Sequence, residues 1–419
     1  MNAAARVCVV GAGIVGATVS LALLRDGHRV TLIDPAEPGG EQAASFGNGA
    51  WLSPGSVVPM STPGLWKKVP GYLSDPTGPL VIRWHALPRL LPWLLRFVHA
   101  GQSLARVQAT ARALSALLGD APQRHRQLAQ LAGVPDLVRQ QGLMVLYADR
   151  AAFEADALAW QLRRDNGVAF ELFDGEALRA RLPEVDTRYT LGAFISAGAH
   201  CLDPGAYVAA LVRSAQAGGA QLLRARARGF EVRDGRVVAL RTDVGDLPCR
   251  HVVIAAGIAS AALARQVGDP VPLVSERGYH VMLGDALPGL SMPVMPADGK
   301  MAITRTGGGL RVAGQVELSS VGAAPDWRRA DILLGHARRV FPTLQALGEP
   351  ASRWMGHRPS TPDGLPVIGP SRQLPEVVHA FGHGHVGLAA APATAALVAD
   401  LVAGRTPPID LRPYAVDRF

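Results

Sequence analysis

Hydrophobic and polar positions follow a clear order from the N-terminus. Residues 6–10 form a short, mostly apolar run and Gly11 to Gly16 a glycine turn, followed by small and apolar residues from Ala17 to Arg25 and a second apolar run from His28 to Ile33. Short apolar runs bounded by glycine predict buried strands, and the longer stretch between them predicts a helix, so the chain opens as strand, helix, strand. Helical periodicity then dominates Leu87 to Gln130 and Ala151 to Asn166, with strand-like segments at Leu143–Tyr147, Ala193–Ser196 and Val281–Leu283. A helix over Ala206–Ala217 precedes strands at Gln221–Ala225, Arg236–Thr242 after the turn Asp234-Gly235, and His251–Ala255. No solenoid period recurs.

The irregular, Gly-, Pro- and Ser-rich stretch from Pro35 to Pro79 is too long for a mere connection in a compact domain and points to ligand binding. At 419 residues, with 48% hydrophobic and 18% charged residues, the chain suits two domains sharing an interface. The expected fold class is α/β: a Rossmann-type domain interleaved with a second domain of helices and a large antiparallel sheet. The nucleotide domain is expected to take residues 1–85, 201–272 and 346–419, and the second domain 86–200 and 273–345.

The net charge of +8 comes from scattered arginines, Lys67, Lys68 and Lys300 being the only lysines, so no nucleic-acid partner is expected. Cys8, Cys201 and Cys249 are widely spaced and fit neither a disulfide framework nor a zinc site, which predicts a reducing, cytoplasmic setting. No stretch reaches the roughly 18 uninterrupted apolar residues of a membrane span. Trp84 to Val98, mixing Trp, Leu and Phe with Arg89 and Arg96, has the composition of an interfacial patch, or of a Pro-interrupted helix packed on its own protein. Peripheral contact with the inner face of the inner membrane is the corresponding expectation.

The chemistry starts at Gly11-x-Gly13-x-x-Gly16, which follows a strand, opens a helix and precedes Asp34 at the end of the next strand. Gly11 serves the tight turn, Gly13 the backbone approach to a pyrophosphate, and Gly16 close helix-to-strand packing, with Ile14 and Val15 beginning the helix. The helix N-terminus favours phosphate, and Asp34 would accept hydrogen bonds from ribose hydroxyls. Gly382-His383-Gly384-His385-Val386-Gly387, continuing into Leu388, repeats the spacing, but no strand ending in an acid follows. It reads as a helix N-terminus whose field stabilises negative charge on a bound cofactor. No acid cluster surrounds these histidines, so no metal site is expected.

Together the fingerprint, the stretch Ala44 to Gly49, and Trp354-x-Gly356-x-Arg358-Pro359-x-x-Pro362-Asp363-Gly364-x-Pro366-x-Ile368-Gly369 resemble the D-amino acid oxidase/dehydrogenase superfamily, over Val7 to about Gly404. Ser45 to Pro59 is most similar to bacterial D-amino acid dehydrogenases, including the branch acting on D-hydroxyproline. The resemblance implies non-covalent FAD, since the chain has no cysteine beyond Cys249 to match the flavin-bearing one of sarcosine oxidases. It implies that Ser45, Phe46, Gly47, Asn48 and Gly49 line the pyrophosphate and flavin ring and that Ala256-Gly257 close on the cofactor. Relatives often read Asn-Ala-Gly where this chain has Asn48-Gly49-Ala50, so the local backbone is expected to differ.

A substrate carboxylate calls for a guanidinium. Arg305 is similar to the carboxylate-binding arginine of glycine-oxidase-like enzymes, and Arg358 belongs to the Arg-Pro motif. Tyr279 and His280, in the family-like run from Glu276, are candidates to cap the pocket or are satisfied strand residues. The expected activity is oxidation of the C–N bond of a small D-amino acid, D-alanine-like or D-proline/D-hydroxyproline, with electrons passed to a quinone. A glycine- or sarcosine-type oxidase using oxygen and an RNA-associated flavoprotein are the alternatives.

Overall fold

The opening pattern folds as it reads. The computed structural model describes residues 6–65, 69, 71, 75 and 77–419, so part of the stretch from Pro35 to Pro79, with Lys67 and Lys68, lies outside the described residues. Strand Arg6–Val10 leads through helix Ile14–Arg25 to strand Arg29–Asp34, which pairs with it in parallel, Val9 opposite Leu32. On the other side of Arg6–Val10 lies the parallel strand His251–Ile254, and the full order is Gln221–Arg224, Arg29–Asp34, Arg6–Val10, His251–Ile254, Val377–Phe381, Val367–Pro370. Only the last strand is antiparallel. The pleat sends Val7 and Val9 to one face, against helices Ile14–Arg25, Pro204–Ala217 and Gly387–Ala403, and Cys8 and Val10 to the other. That second face packs on Val237, Leu240, Leu263 and Ala264 from a small three-stranded sheet and helix Ser260–Gln266. Helix Gly387–Ala403 belongs to a segment long and apolar enough to cross a membrane, yet 12 of its 17 residues are buried inside the protein, which accounts for its all-round apolarity.

The second sheet has nine strands. Its order is Ser352–Ser360, Val274–Met282, Gly309–Leu318, Ala302–Thr306, Val294–Pro296, Leu143–Tyr147, Leu191–Ile195, Glu171–Asp174, with Leu80–Ile82 beside Gly309–Leu318. Two pairs depart from the antiparallel expectation: Val294–Pro296 with Leu143–Tyr147, and Leu80–Ile82 with Gly309–Leu318, are parallel. Both join strands far apart in sequence, where no hairpin dictates direction. The expected division also needs correction, because Leu80–Ile82 and Ser352–Ser360 fall in segments assigned to the nucleotide domain yet pair in the large sheet. Ser352–Ser360 runs along Val274–Met282 over nine residue pairs, and that ladder decides its place.

Four histidines, His125, His200, His280 and His383, are buried between 0% and 3% exposed. Desolvation holds each down to about 4. A base whose folded-state pKa lies below its unfolded value of about 6.5 binds fewer protons in the native state, so stability falls as pH drops from about 6.5 towards 4. Each site contributes up to ~3 kcal/mol across that window. Thermal melts between pH 8 and 4 are expected to show a steep loss of Tm below about pH 6; a flat profile down to pH 4.5 would contradict this burial.

Candidate active site

The glycine turn is held by close approach. Gly11 has φ +103°, and a Cβ there would sit 2.4 Å from the Ala255 carbonyl oxygen, while one on Gly16 would sit 1.8 Å from that of Gly11. At Gly13 the nearest atom is the Ser45 hydroxyl, 3.6 Å away, so that face of the turn is open to a ligand. The Ile14 N–H donates to Ser45 Oγ at 3.1 Å, and the other first-turn amides have no partner within the helix. Asp34 accepts from the N–H groups of Ala12 (2.8 Å) and Ala36 (2.9 Å), one on each oxygen, leaving lone pairs for ribose hydroxyls. Gly257 has φ +56° and nothing near its missing side chain.

The loop from Ser45 to Ala50 bridges the two sheets. Arg311, 6% exposed, donates to the carbonyls of Phe46 (3.0 Å) and Asn48 (2.9 Å); Thr304 Oγ1 donates to Gly49 O at 2.9 Å; and His280 Nδ1 meets Gly47 O at 3.2 Å. His280 also stacks on Trp354, ring centroids 5.1 Å apart. His280 therefore braces the loop. Ala50 takes φ +65°, in the left-handed region that glycine enters most easily, and its N–H is tied to Asn48 Oδ1 at 2.8 Å.

Gly278 and Gly356 face each other across neighbouring strands, and a Cβ on Gly278 would lie 2.3 Å from the Arg358 guanidinium, which crosses over it. Arg358 donates to the carbonyls of Gln315 (2.8 Å) and Gly314 (3.3 Å). Those carbonyls are turned by a β-bulge: the ladder shifts between Arg277–Glu317 and Tyr279–Gly314, and Gln315 has φ +59°. Among the described residues Arg358 forms no ion pair with a carboxylate within 4.0 Å, and desolvation lowers its pKa. Glu276 is its partner across the ladder and lines a cavity with Ser360, Gly384, His385, Ser61, Met60 and Phe97. His385 is open to this cavity, with protein around it and Arg358 near, and is held down to about 4 by desolvation first and by that charge second.

Two expectations fail for the same reason. Arg305 alternates with Thr304, so when Thr304 reaches the cofactor loop Arg305 points to the opposite face, bonding Asp285 at 2.6 Å and Ala286 O at 3.3 Å. It does not meet the site. Tyr279 likewise points away from the face of Glu276 and His280, its hydroxyl donating to Glu317 and accepting the Asp326 N–H at 3.0 Å within a buried cluster that includes Arg277 and Arg83. Both are structural. His383 turns inward to Thr394 Oγ1 at 2.9 Å, while Gly384 and His385 carry the helix start into the cavity. Arg311 was not singled out, although Leu310 and Val312, flanking it as core residues, imply that it faces the loop.

A family model described as FAD dependent oxidoreductase, of the DAO group, matches residues 6–401. The chain belongs to this family. It is 50% identical over 416 residues to a D-amino-acid oxidase of Bradyrhizobium diazoefficiens, covering 99% of this chain and 98% of that protein. It is 34% identical to D-amino acid dehydrogenase 2 of Ralstonia nicotianae, over 99% of this chain and 100% of that one. In fold it is similar to glycine oxidase from Geobacillus kaustophilus, with a TM-score of 0.76, 22% identity and 99% of each chain covered. L-proline dehydrogenase from P. horikoshii also gives a TM-score of 0.76, at 19% identity, covering 100% of this chain and 98% of that one.

The residues fit the family's cofactor. In this FAD-dependent oxidoreductase the open face of Gly13 and the helix start would take the pyrophosphate, Asp34 the ribose, and the Ser45–Gly49 loop and Gly384–His385 the flavin end. Cys8, Cys201 and Cys249 are all free and buried.

Proposed function

We propose that this FAD-dependent oxidoreductase oxidises the C–N bond of a small D-amino acid and passes the electrons to a quinone. The observation that carries the reading is Arg358, a guanidinium fixed by two backbone carbonyls beside the cavity and, among the described residues, in no ion pair within 4.0 Å, which suits an amino acid's carboxylate. FAD, when bound, supplies the acceptor for the substrate's α-hydrogen. The protein's share is orientation: Arg358 holds the carboxylate, Gly278 gives its guanidinium the space to cross the strand, and Met60 and Phe97 line the cavity beside it. The names of the D-amino-acid oxidase and dehydrogenase relatives support the D-configuration.

The quinone rests on helix Leu87–Ala100 and the turn before it. Trp84, Leu91, Leu95 and Val98 are exposed by 74%, 49%, 64% and 45%, with Arg89 and Arg96 among them and no acid in the helix, a surface suited to an anionic membrane holding a quinone. The test is anaerobic bleaching of the flavin by D-alanine, D-proline, cis-4-hydroxy-D-proline, glycine and sarcosine, each beside its L-isomer where one exists. Reoxidation by oxygen is then compared with reoxidation by a quinone in anionic liposomes. Bleaching by D-compounds alone and faster reoxidation by the liposomes are expected; stoichiometric hydrogen peroxide with no quinone turnover would replace this reading with an oxygen-using oxidase.

A further inference from the structure

Glu276 has no task in the reading so far. It is 6% exposed on strand Val274–Met282, opposite Arg358 on one side and Leu318 on the other, and its carboxylate shares the cavity with His385. A buried carboxylate is costly unless something partners it, and Arg358 is already committed to Gln315 and Gly314 rather than ion-paired with it. The sheet therefore presents an anion and a cation on one face, the guanidinium over Gly278 and the carboxylate two residues along that strand, roughly 7 Å away at the backbone. An amino acid carries the opposite pair. With its carboxylate on the Arg358 guanidinium, which lies over Gly278, the α-ammonium falls two residues along the same strand, at Glu276.

We propose that Glu276 receives the substrate's α-ammonium and takes its proton, so that Arg358 and Glu276 together fix both charged ends of the amino acid. This rests on the amino-acid reading above. One proton moves from the substrate nitrogen to a Glu276 carboxylate oxygen, leaving the lone pair that stabilises loss of the α-hydrogen as hydride to FAD; the proton then leaves through the cavity to water. The groups facing Glu276 are Arg358 and Ser360 on the neighbouring strand, His385 on the helix start, Leu318 on the other neighbour, Phe97 on helix Leu87–Ala100, and Met60 and Ser61. Burial raises the Glu276 pKa, against the pull of Arg358. A carboxylate whose pKa burial raises is better matched to this transfer than an ordinary exposed one. His385, held neutral and low, is the weaker base.

The test uses two ligands that cannot be oxidised, 2-aminoisobutyrate and isobutyrate, which differ only by the amino group, titrated into the holoenzyme by flavin absorbance. Wild-type protein is expected to bind the amino compound at least tenfold more tightly at pH 8 and to lose that margin on acidification. In Glu276→Gln the margin disappears while isobutyrate binds as before. The acid limb of the anaerobic flavin-reduction rate moves up by at least one pH unit, with about a hundredfold loss at pH 7. Equal binding of both ligands by wild-type protein, or an unchanged margin and acid limb in the variant, would overturn the assignment without touching the amino-acid reading. If wild-type protein binds neither ligand and no amino acid bleaches its flavin, that reading falls and this one with it. Should Glu276→Gln lose its flavin, the wild-type margin and its pH dependence decide alone.

Discussion

Replacing Arg358 with methionine is expected to lower kcat/KM for the amino-acid substrate by on the order of 10²–10³-fold, because a desolvated, charge-assisted partner is removed. Arg358→Lys should recover only a small part, since an ammonium cannot span the Gln315 and Gly314 carbonyls and still present a fork to the carboxylate. Gly278→Ala should mimic the loss, as its methyl group would lie 2.3 Å from the guanidinium and push it aside. Arg305→Gln is the control: its pair with the 80%-exposed Asp285 is worth little, and activity should stay within about twofold. Stopped-flow flavin reduction measures all four, and a large defect in the Arg305 variant with a mild one at Arg358 would reverse the assignment.

The second large effect is expected at the glycine turn, where two neighbouring positions should fail in different ways. Gly16→Val sets a branched side chain against the Gly11 carbonyl, with a Cβ only 1.8 Å from that oxygen, so helix and strand must separate. Overpacking of backbone against backbone costs at least 1–3 kcal/mol, and the protein should purify without flavin and melt early, with no rescue by added FAD. Gly13→Val instead meets only Ser45 Oγ, at 3.6 Å, so the fold should survive in near-native form while FAD affinity collapses because the pyrophosphate's approach is blocked. The flavin-to-protein absorbance ratio and Tm, each with and without added FAD, separate the two. A Gly16→Val protein that retains flavin would contradict the packing described.

Much of this was legible in the chain. The strand-helix-strand opening with Asp34 at its end is a local signal, and it gave both the parallel sheet and the cofactor turn because sterics act there over a few residues. Parity was harder. In Thr304 to Val312 the sequence contains two arginines, and only the pleat, once the hairpin at Thr306–Gly309 is known, decides that Arg311 meets the cofactor loop while Arg305 leaves it. Tyr279 and His280 divide in the same way, one to the buried Glu317 cluster and one to the loop. The alternation Leu310, Arg311, Val312, Ala313 held the answer for one strand, but the bulge at Gln315 resets the register and cannot be read from composition. The parallel strands Leu80–Ile82 and Val294–Pro296 were hidden for another reason: their partners lie far away in sequence, and nothing local sets their direction.

The bulge has a consequence for how this enzyme can diverge. Arg358, the anchor proposed above for the substrate's invariant end, is gripped by main-chain oxygens, which every amino acid provides, so substitutions at 314 and 315 that keep the bend leave the grip in place. The cavity walls that would meet the variable end on that proposal, Met60, Ser61 and Phe97, come from a loop and a helix outside that ladder. Descendants of this gene can therefore trade one side-chain preference for another by rewriting the walls, with no need to rediscover how to hold an amino acid.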